Sequence, residues 1–251
     1  GARPLGRRFD VLYIDMEAQN AHTIPHIQEL KTLPSIDRFY HVALPLALRN
    51  AVSTLQPKWI CWDEDERDLW VREMPEDAIC AANCPWEWFH KGMEFEEFVK
   101  EFSIWYRQEK GVPIACGIGI RADESLNRFS TIAFAQRKTE LCGLHWTTRI
   151  ADGVYNFYPI YDWRCEDIWG AVSQLNFKYN EIYELMYKNG LSIYQQRLCQ
   201  KAGEPRHPVP PVQPGHSNSE CFHEQPRPPQ DHSRGRAHRL YRRLQSGRGI
   251  F

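Results

Sequence analysis

Apolar residues along the chain fall in short runs separated by longer stretches in which apolar and charged positions alternate at helical spacing. Phe9-Asp10-Val11-Leu12-Tyr13-Ile14-Asp15 predicts a strand that ends in an acid, and Thr23 with Pro25 predicts the cap and first turn of a helix running towards Leu33. Phe39 to Leu44 predicts the next strand. Between Met93 and Tyr106, apolar residues at 95, 98, 99, 102, 105 and 106 define one face of a crossover helix that Gly111 ends. Val112 to Cys116, bounded by Gly111 and Gly117, reads as a strand buried in a parallel sheet. A last amphipathic helix is predicted from Lys178 to Lys188, with Asn189-Gly190 as its C-cap. This alternation predicts an α/β fold.

Two stretches break the pattern. From about 57 to 92 the chain becomes rich in tryptophan and acid, as in Trp59-Ile60-Cys61-Trp62-Asp63-Glu64-Asp65-Glu66, which predicts an insertion between βαβ units. Residues 201–251 are rich in Pro, His, Arg, Ser and Gly with little apolar periodicity, which predicts disorder. The domain expectation is therefore an α/β body over 1–200 and a basic tail over 201–251.

Charge sharpens that division. The net charge of −1 combines a tail holding nine Lys/Arg against four Asp/Glu with a body holding 22 against 28. A body near −6 does not carry the overall signature of a nucleic-acid surface. Eight cysteines, no apolar run long enough to cross a membrane and no signal peptide predict free thiols in a reducing cytoplasm. Cys80 and Cys84 have the spacing of half a metal site, but no second pair follows, so no iron–sulfur cluster is expected.

The candidate chemistry lies just after the central strand, in Gly117-Ile118-Gly119-Ile120-Arg121-Ala122-Asp123-Glu124-Ser125-Leu126-Asn127-Arg128. In open α/β sheets, ligands sit beyond the carboxyl ends of the strands. Two arginines seven residues apart, with glycine backbone and a serine hydroxyl, suit a multiply charged oxyanion. The same letters also suit a plain strand, turn and helix start, with Asp123 or Ser125 as N-cap and Arg128 on a solvated face.

Gly119-Ile120-Arg121-Ala122-Asp123-Glu124-Ser125 followed by Arg128 resembles the arginine motif of the phosphoadenosine phosphosulfate (PAPS) reductase family. Tyr158-Pro159-Ile160-Tyr161-Asp162-Trp163 with Asp167-Ile168-Trp169 is similar to that family's second motif. Leu126-Asn127-Arg128-Phe129 is closer to a narrower branch, the Ibr-type regulators predicted to be PAPS sulfotransferases. The resemblance covers roughly residues 9–200. It implies a three-layer fold with a mostly parallel sheet, of the adenine-nucleotide α-hydrolase-like type. It also implies a PAPS or ATP substrate, with Mg2+ as an accompanying ion, and sulfur-group transfer.

On this resemblance Asp15, Gly119, Arg121, Glu124, Ser125 and Arg128 are the nucleotide- or phosphosulfate-binding residues; no catalytic base or nucleophile is assigned. The family's Ser-Gly-Gly-Lys-Asp-Ser type of phosphate loop is not found in the sequence, which leads to the expectation of an N-terminally truncated and inactive fragment; beyond Gln200, where the family continues with folded sequence, a frameshifted end is expected, with a natural basic tail as the alternative. Cys142, in Glu140-Leu141-Cys142-Gly143-Leu144-His145, resembles the reductase cysteine motif in a different place and is expected to be structural. The alternatives are a non-catalytic regulator acting with a ParB-like partner, and a nucleic-acid sulfurtransferase.

Overall fold

A computed structural model describes residues 8–49, 58–125, 128–130, 141, 144 and 146–193. Leu126, Asn127, Cys142, Gly143 and the whole 201–251 tail lie outside the described residues. The chain divides into two compact units. Of the described residues, those up to Arg164 and Asn180–Ile182 make one unit, and Cys165–Tyr179 with Tyr183 to Ile193 make the other.

The first unit begins as the apolar pattern predicts. Strand β1 (Phe9–Ile14), helix α1 (Thr23–Lys31) and strand β2 (Ile36–Val42) form a βαβ unit, with β1 and β2 parallel and Ile14 opposite Val42. Because side chains alternate across a strand, β1 faces two ways. Leu12 and Ile14 join the main core, while Tyr13 and Asp15 line a cavity with Ile24 and Ile27 of α1. The helix starts at Thr23, with His22 rather than Thr23 in the cap position.

After β2 the chain enters its most buried segment, Val42 to Leu46, then a hairpin of β3 (Ala47–Arg49) and β4 (Lys58–Ile60). The tryptophan-rich segment is compact and folds over the end of the sheet. Ile79 bridges Val42 in parallel, so residues from this segment continue the β2 edge. Asp63 caps a 3-10 turn over Glu64–Leu69 by accepting the Asp65 N–H at 3.1 Å.

Helix α2 (Phe95–Lys110) carries acids in its first turn and Arg107 and Lys110 in its last, as the helix dipole favours. It ends on Gly111 at φ +66, the left-handed C-cap that a glycine adopts without a Cβ clash. Its apolar face builds an aromatic core in which Phe98 and Phe102 pack with Trp86, Trp105 and Tyr106. Removing Phe98 from water contributes about 2–3 kcal/mol, since none of it remains exposed. The same helix reaches two strands. Tyr106 donates to Asp10 of β1 at 2.6 Å, and Ser103 meets Cys116 of β5 (Ile114–Gly117) at 3.8 Å.

Strand β5 pairs in parallel with β7 (Val154–Phe157), which pairs antiparallel with β6 (Thr147–Ala151). The described strands thus form three small sheets, of which one is parallel, one antiparallel and one mixed, where one mostly parallel sheet was expected. The α/β class stands, with mixed pairing. Gly153 at φ +66 turns β6 into β7, and such a two-strand hairpin imposes the antiparallel pair.

In the second unit, α3 (Cys165–Leu175) places Trp169 edge-on to Tyr179 and Tyr183. Helix α4 (Ile182–Lys188) is shorter than the predicted 178–188, and Gly190 at φ +81 follows its end. No helix among the described residues is long and apolar enough to cross a membrane.

Candidate functional site

The arginine loop leaves β5 at Gly117. An added Cβ there would lie 2.9 Å from the tip of the Phe157 ring, so any side chain at this position would push that ring aside. At Gly119 the nearest neighbour would be Ile160 at 3.9 Å, an ordinary contact. Of the two glycines, Gly117 is the more tightly packed.

The loop is braced by the second sequence motif. Ile118 N–H donates to the Phe157 carbonyl at 2.9 Å and Ala122 N–H to the Tyr161 carbonyl at 2.7 Å. The Tyr158 hydroxyl is paired with Thr148 Oγ1 at 3.0 Å, both residues being buried. The Tyr158 to Trp163 segment therefore fixes where the arginines are presented.

Arg121, Glu124, Ser125 and Arg128 come together. Arg121 Nε donates to Glu124 Oε1 at 3.3 Å and its Nη1 lies 3.3 Å from Asp123 Oδ1. Arg128 Nη1 donates to Glu124 Oε2. Arg121 and Glu124 are largely buried, and Arg128 is about half exposed. Ser125 accepts the Arg128 N–H at 3.3 Å, the capping role that the sequence left open. Among the described residues no acceptor takes the Ser125 hydroxyl proton. Two arginines and two acids make the loop neutral in formal charge, so an incoming anion meets guanidinium N–H groups already oriented by carboxylates.

Asp15 directly follows β1, in a different pair of strands from the loop, with 1% of its surface exposed. Oδ1 accepts the Glu17 N–H at 3.0 Å and a guanidinium N–H of Arg72, while Oδ2 is 3.0 Å from His41 Nε2. Burial pushes its carboxyl up, but the hydrogen bonds from His41 and Arg72 and the Arg72 charge outweigh it. The net effect holds Asp15 below the usual carboxylate range. On its far side His41 Nδ1 meets Lys31 Nζ at 2.9 Å and Asp77 at 3.3 Å. Both Asp15 oxygens are engaged by protein donors, so Asp15 as it stands does not fit a magnesium ligand. Among the described residues, no cluster of three or more His, Cys, Asp or Glu could hold a metal ion.

His41 and Arg72 were missed by sequence reasoning. A histidine within the apolar Phe39 to Leu44 run was the available signal, because a polar ring in a strand core needs a partner. Beside this network is a cavity of about 280 Å³, lined by Tyr13, Asp15, Gln28, His41 and Arg72. The Tyr13 hydroxyl is buried there without a partner among the described residues. Burial, then the Asp15 charge, push its pKa up to about 12, so it is a neutral donor at physiological pH.

Residues 73–189 match the phosphoadenosine phosphosulfate reductase domain, a span that includes the arginine loop and its bracing motif. The chain is 42% identical over 207 residues to the uncharacterized protein YbdN of Escherichia coli (strain K12). That similarity takes in 80% of this chain, which spans about half (49%) of the relative's length. No solved structure matches the chain.

Proposed function

We propose that the chain handles an adenylyl phosphosulfate or ATP in a sulfur-group transfer, with Arg121 and Arg128 as the anion-binding pair. The observation that supports this reading best is the convergence of the two guanidiniums on Glu124, beyond the carboxyl end of a parallel strand. The similarity of residues 73–189 to the PAPS reductase domain supports the substrate class. With a phosphosulfate substrate, a nucleophilic acceptor forms a new bond to sulfur as the sulfur–oxygen bond to the nucleotide breaks, and the nucleotide leaves with the electron pair of that bond. With ATP the acceptor attacks phosphorus, a phosphorus–oxygen bond breaks and pyrophosphate leaves with its electron pair. Guanidinium N–H groups at the phosphates take up that charge. Ser125 donates its hydroxyl proton to the same anion. Gly119 lets the backbone pass close to the anion, and Glu124 orients the two arginines. Asp15, through its contacts with Glu17, His41 and Arg72, holds the end of β1 in place. The chain works in the cytoplasm on this reading.

Titration with adenosine 3′,5′-bisphosphate tests the assignment. Arg121→Ala and Arg128→Ala should each weaken binding by about tenfold or more, the scale of a charge-assisted bidentate contact. Unchanged binding in both variants rejects it.

A further inference from the structure

Leu69, in the tryptophan-rich segment, is the most exposed large apolar side chain among the described residues, at 72%, and Val71 stands beside it at 57%. Trp70, Arg72 and Met74 turn inward, so from Leu69 to Met74 outward and inward positions alternate as they do along a strand. Among the described residues no strand pairs with this segment.

A single exposed leucine is ordinary. Here the apolar pair is held in place from beneath. Trp70 Nε1–H donates to the Asp63 carbonyl at 2.9 Å, and its ring meets Trp62 edge-on at 5.1 Å. The Val71 N–H donates to Glu17 Oε1 at 3.1 Å. Glu17 is itself fixed, with φ +65, a left-handed value that a residue with a Cβ adopts only at a cost. Its carboxylate also accepts the Trp62 N–H at 2.8 Å, and its carbonyl accepts Arg72 Nε–H at 2.9 Å. Leu69 and Val71 are thus presented already ordered and lose little freedom when something covers them.

The surroundings are acidic. Residues 63–77 hold eight Asp/Glu against two Arg. Both arginines lie over indole rings, Arg67 over Trp70 at 5.3 Å and Arg72 over Trp62 at 4.8 Å. Lys91 pairs with Asp63 and Asp65, and Lys31 with Asp77. Glu64, Glu66, Asp68, Glu73 and Glu76 are exposed, and among the described residues none of the five has an ion-pair partner. Three of them precede Leu69 and two follow Val71, so unpaired carboxylates flank the apolar pair on both sides along the chain. Such a surface repels nucleic acid and anionic lipid and attracts a basic partner.

We propose that Leu69 and Val71 form the centre of a docking surface for a protein segment that carries apolar residues between basic ends. Burial of the apolar pair supplies the contact, and the carboxylates select Lys or Arg on either side of it. The proposal does not depend on the nucleotide-handling reading.

Selection of a random dodecapeptide library, displayed on phage, against the full chain tests it. Enriched peptides should carry apolar residues with Lys or Arg to both sides. The strongest of them, labelled for fluorescence polarisation, should bind Leu69→Ser and Val71→Ser about tenfold more weakly than wild type, the loss expected at the centre of an interface. A Glu66→Lys, Glu73→Lys double variant should lose about tenfold or more, and its affinity should depend less on salt. If a serine variant melts early by circular dichroism, the charge-reversed variant decides. No enrichment, enriched peptides without a basic bias, or affinity that survives these substitutions overturns the proposal. Two further results do the same, because they name another occupant. One is a dimer in sedimentation that Leu69→Ser abolishes; the other is flotation with phosphatidylserine vesicles that Leu69→Ser abolishes.

Discussion

Arg121 and Arg128 share one carboxylate, with Glu124 Oε1 taking the Nε–H of the first and Oε2 taking Nη1 of the second. Seven residues separate the two guanidiniums in sequence, and without a shared counter-ion their like charges would drive them apart. Glu124 therefore has two opposing effects. It gathers the donors, and it offsets part of the charge that an anion would meet.

Glu124→Gln keeps the shape and removes the charge. Sulfate or adenosine 3′,5′-bisphosphate should then bind about fivefold more tightly, corresponding to the ~1 kcal/mol of a partly exposed ionic interaction. The affinity should also fall more steeply with added salt. Calorimetry at two ionic strengths checks both, and weaker binding would mean that orientation outweighs charge.

Asp15→Asn leaves Arg72 and His41 facing a neutral amide in a buried place, and should cost about 3 kcal/mol at pH 7. The wild-type carboxyl lies below its unfolded value of about 3.9, so its contribution is complete above that pH. It is lost as the pH falls through the folded value. Urea melts should therefore show the variant and wild type converging below about pH 4; a constant gap would show that the ionised form is not what stabilises.

The two glycines of the loop should differ. Gly117→Ala drives a Cβ into the Phe157 ring and should destabilise by about 1–2 kcal/mol, with recovery in a Gly117→Ala, Phe157→Leu double variant. Gly119→Ala should change the midpoint of unfolding by less than about 0.5 kcal/mol. Equal effects would place the constraint elsewhere.

Tyr13→Phe deletes a buried hydroxyl that has no partner among the described residues. Stability should be unchanged or rise by up to about 1 kcal/mol. A loss above about 1 kcal/mol would show that the cavity between α1 and β1 holds an ordered water or ligand on that hydroxyl.

The parts of the fold that are legible in the sequence are those set by local pattern. The 95–106 periodicity and Gly111 are enough to specify α2, and the alternation at 9–15 specifies β1, because burial of one face dictates both. The arginine loop is legible as a cluster, since the contacts among its own side chains span only two to four residues. The Asp15 network is not: its links to His41, Trp62 and Arg72 span 26 to 57 residues, and no local spacing encodes them. The division into three small sheets is hidden for the same reason, because strand pairing depends on register between distant segments.

The left-handed turn at Glu17 bears on how this protein can vary. Trp62, Val71 and Arg72 hold that turn, so the tryptophan-rich insertion is a splint for the strand end. It cannot be exchanged like a cassette. A chimera that imports a different insertion must import residues 15–18 with it, or the end of β1 will relax to an ordinary extended exit.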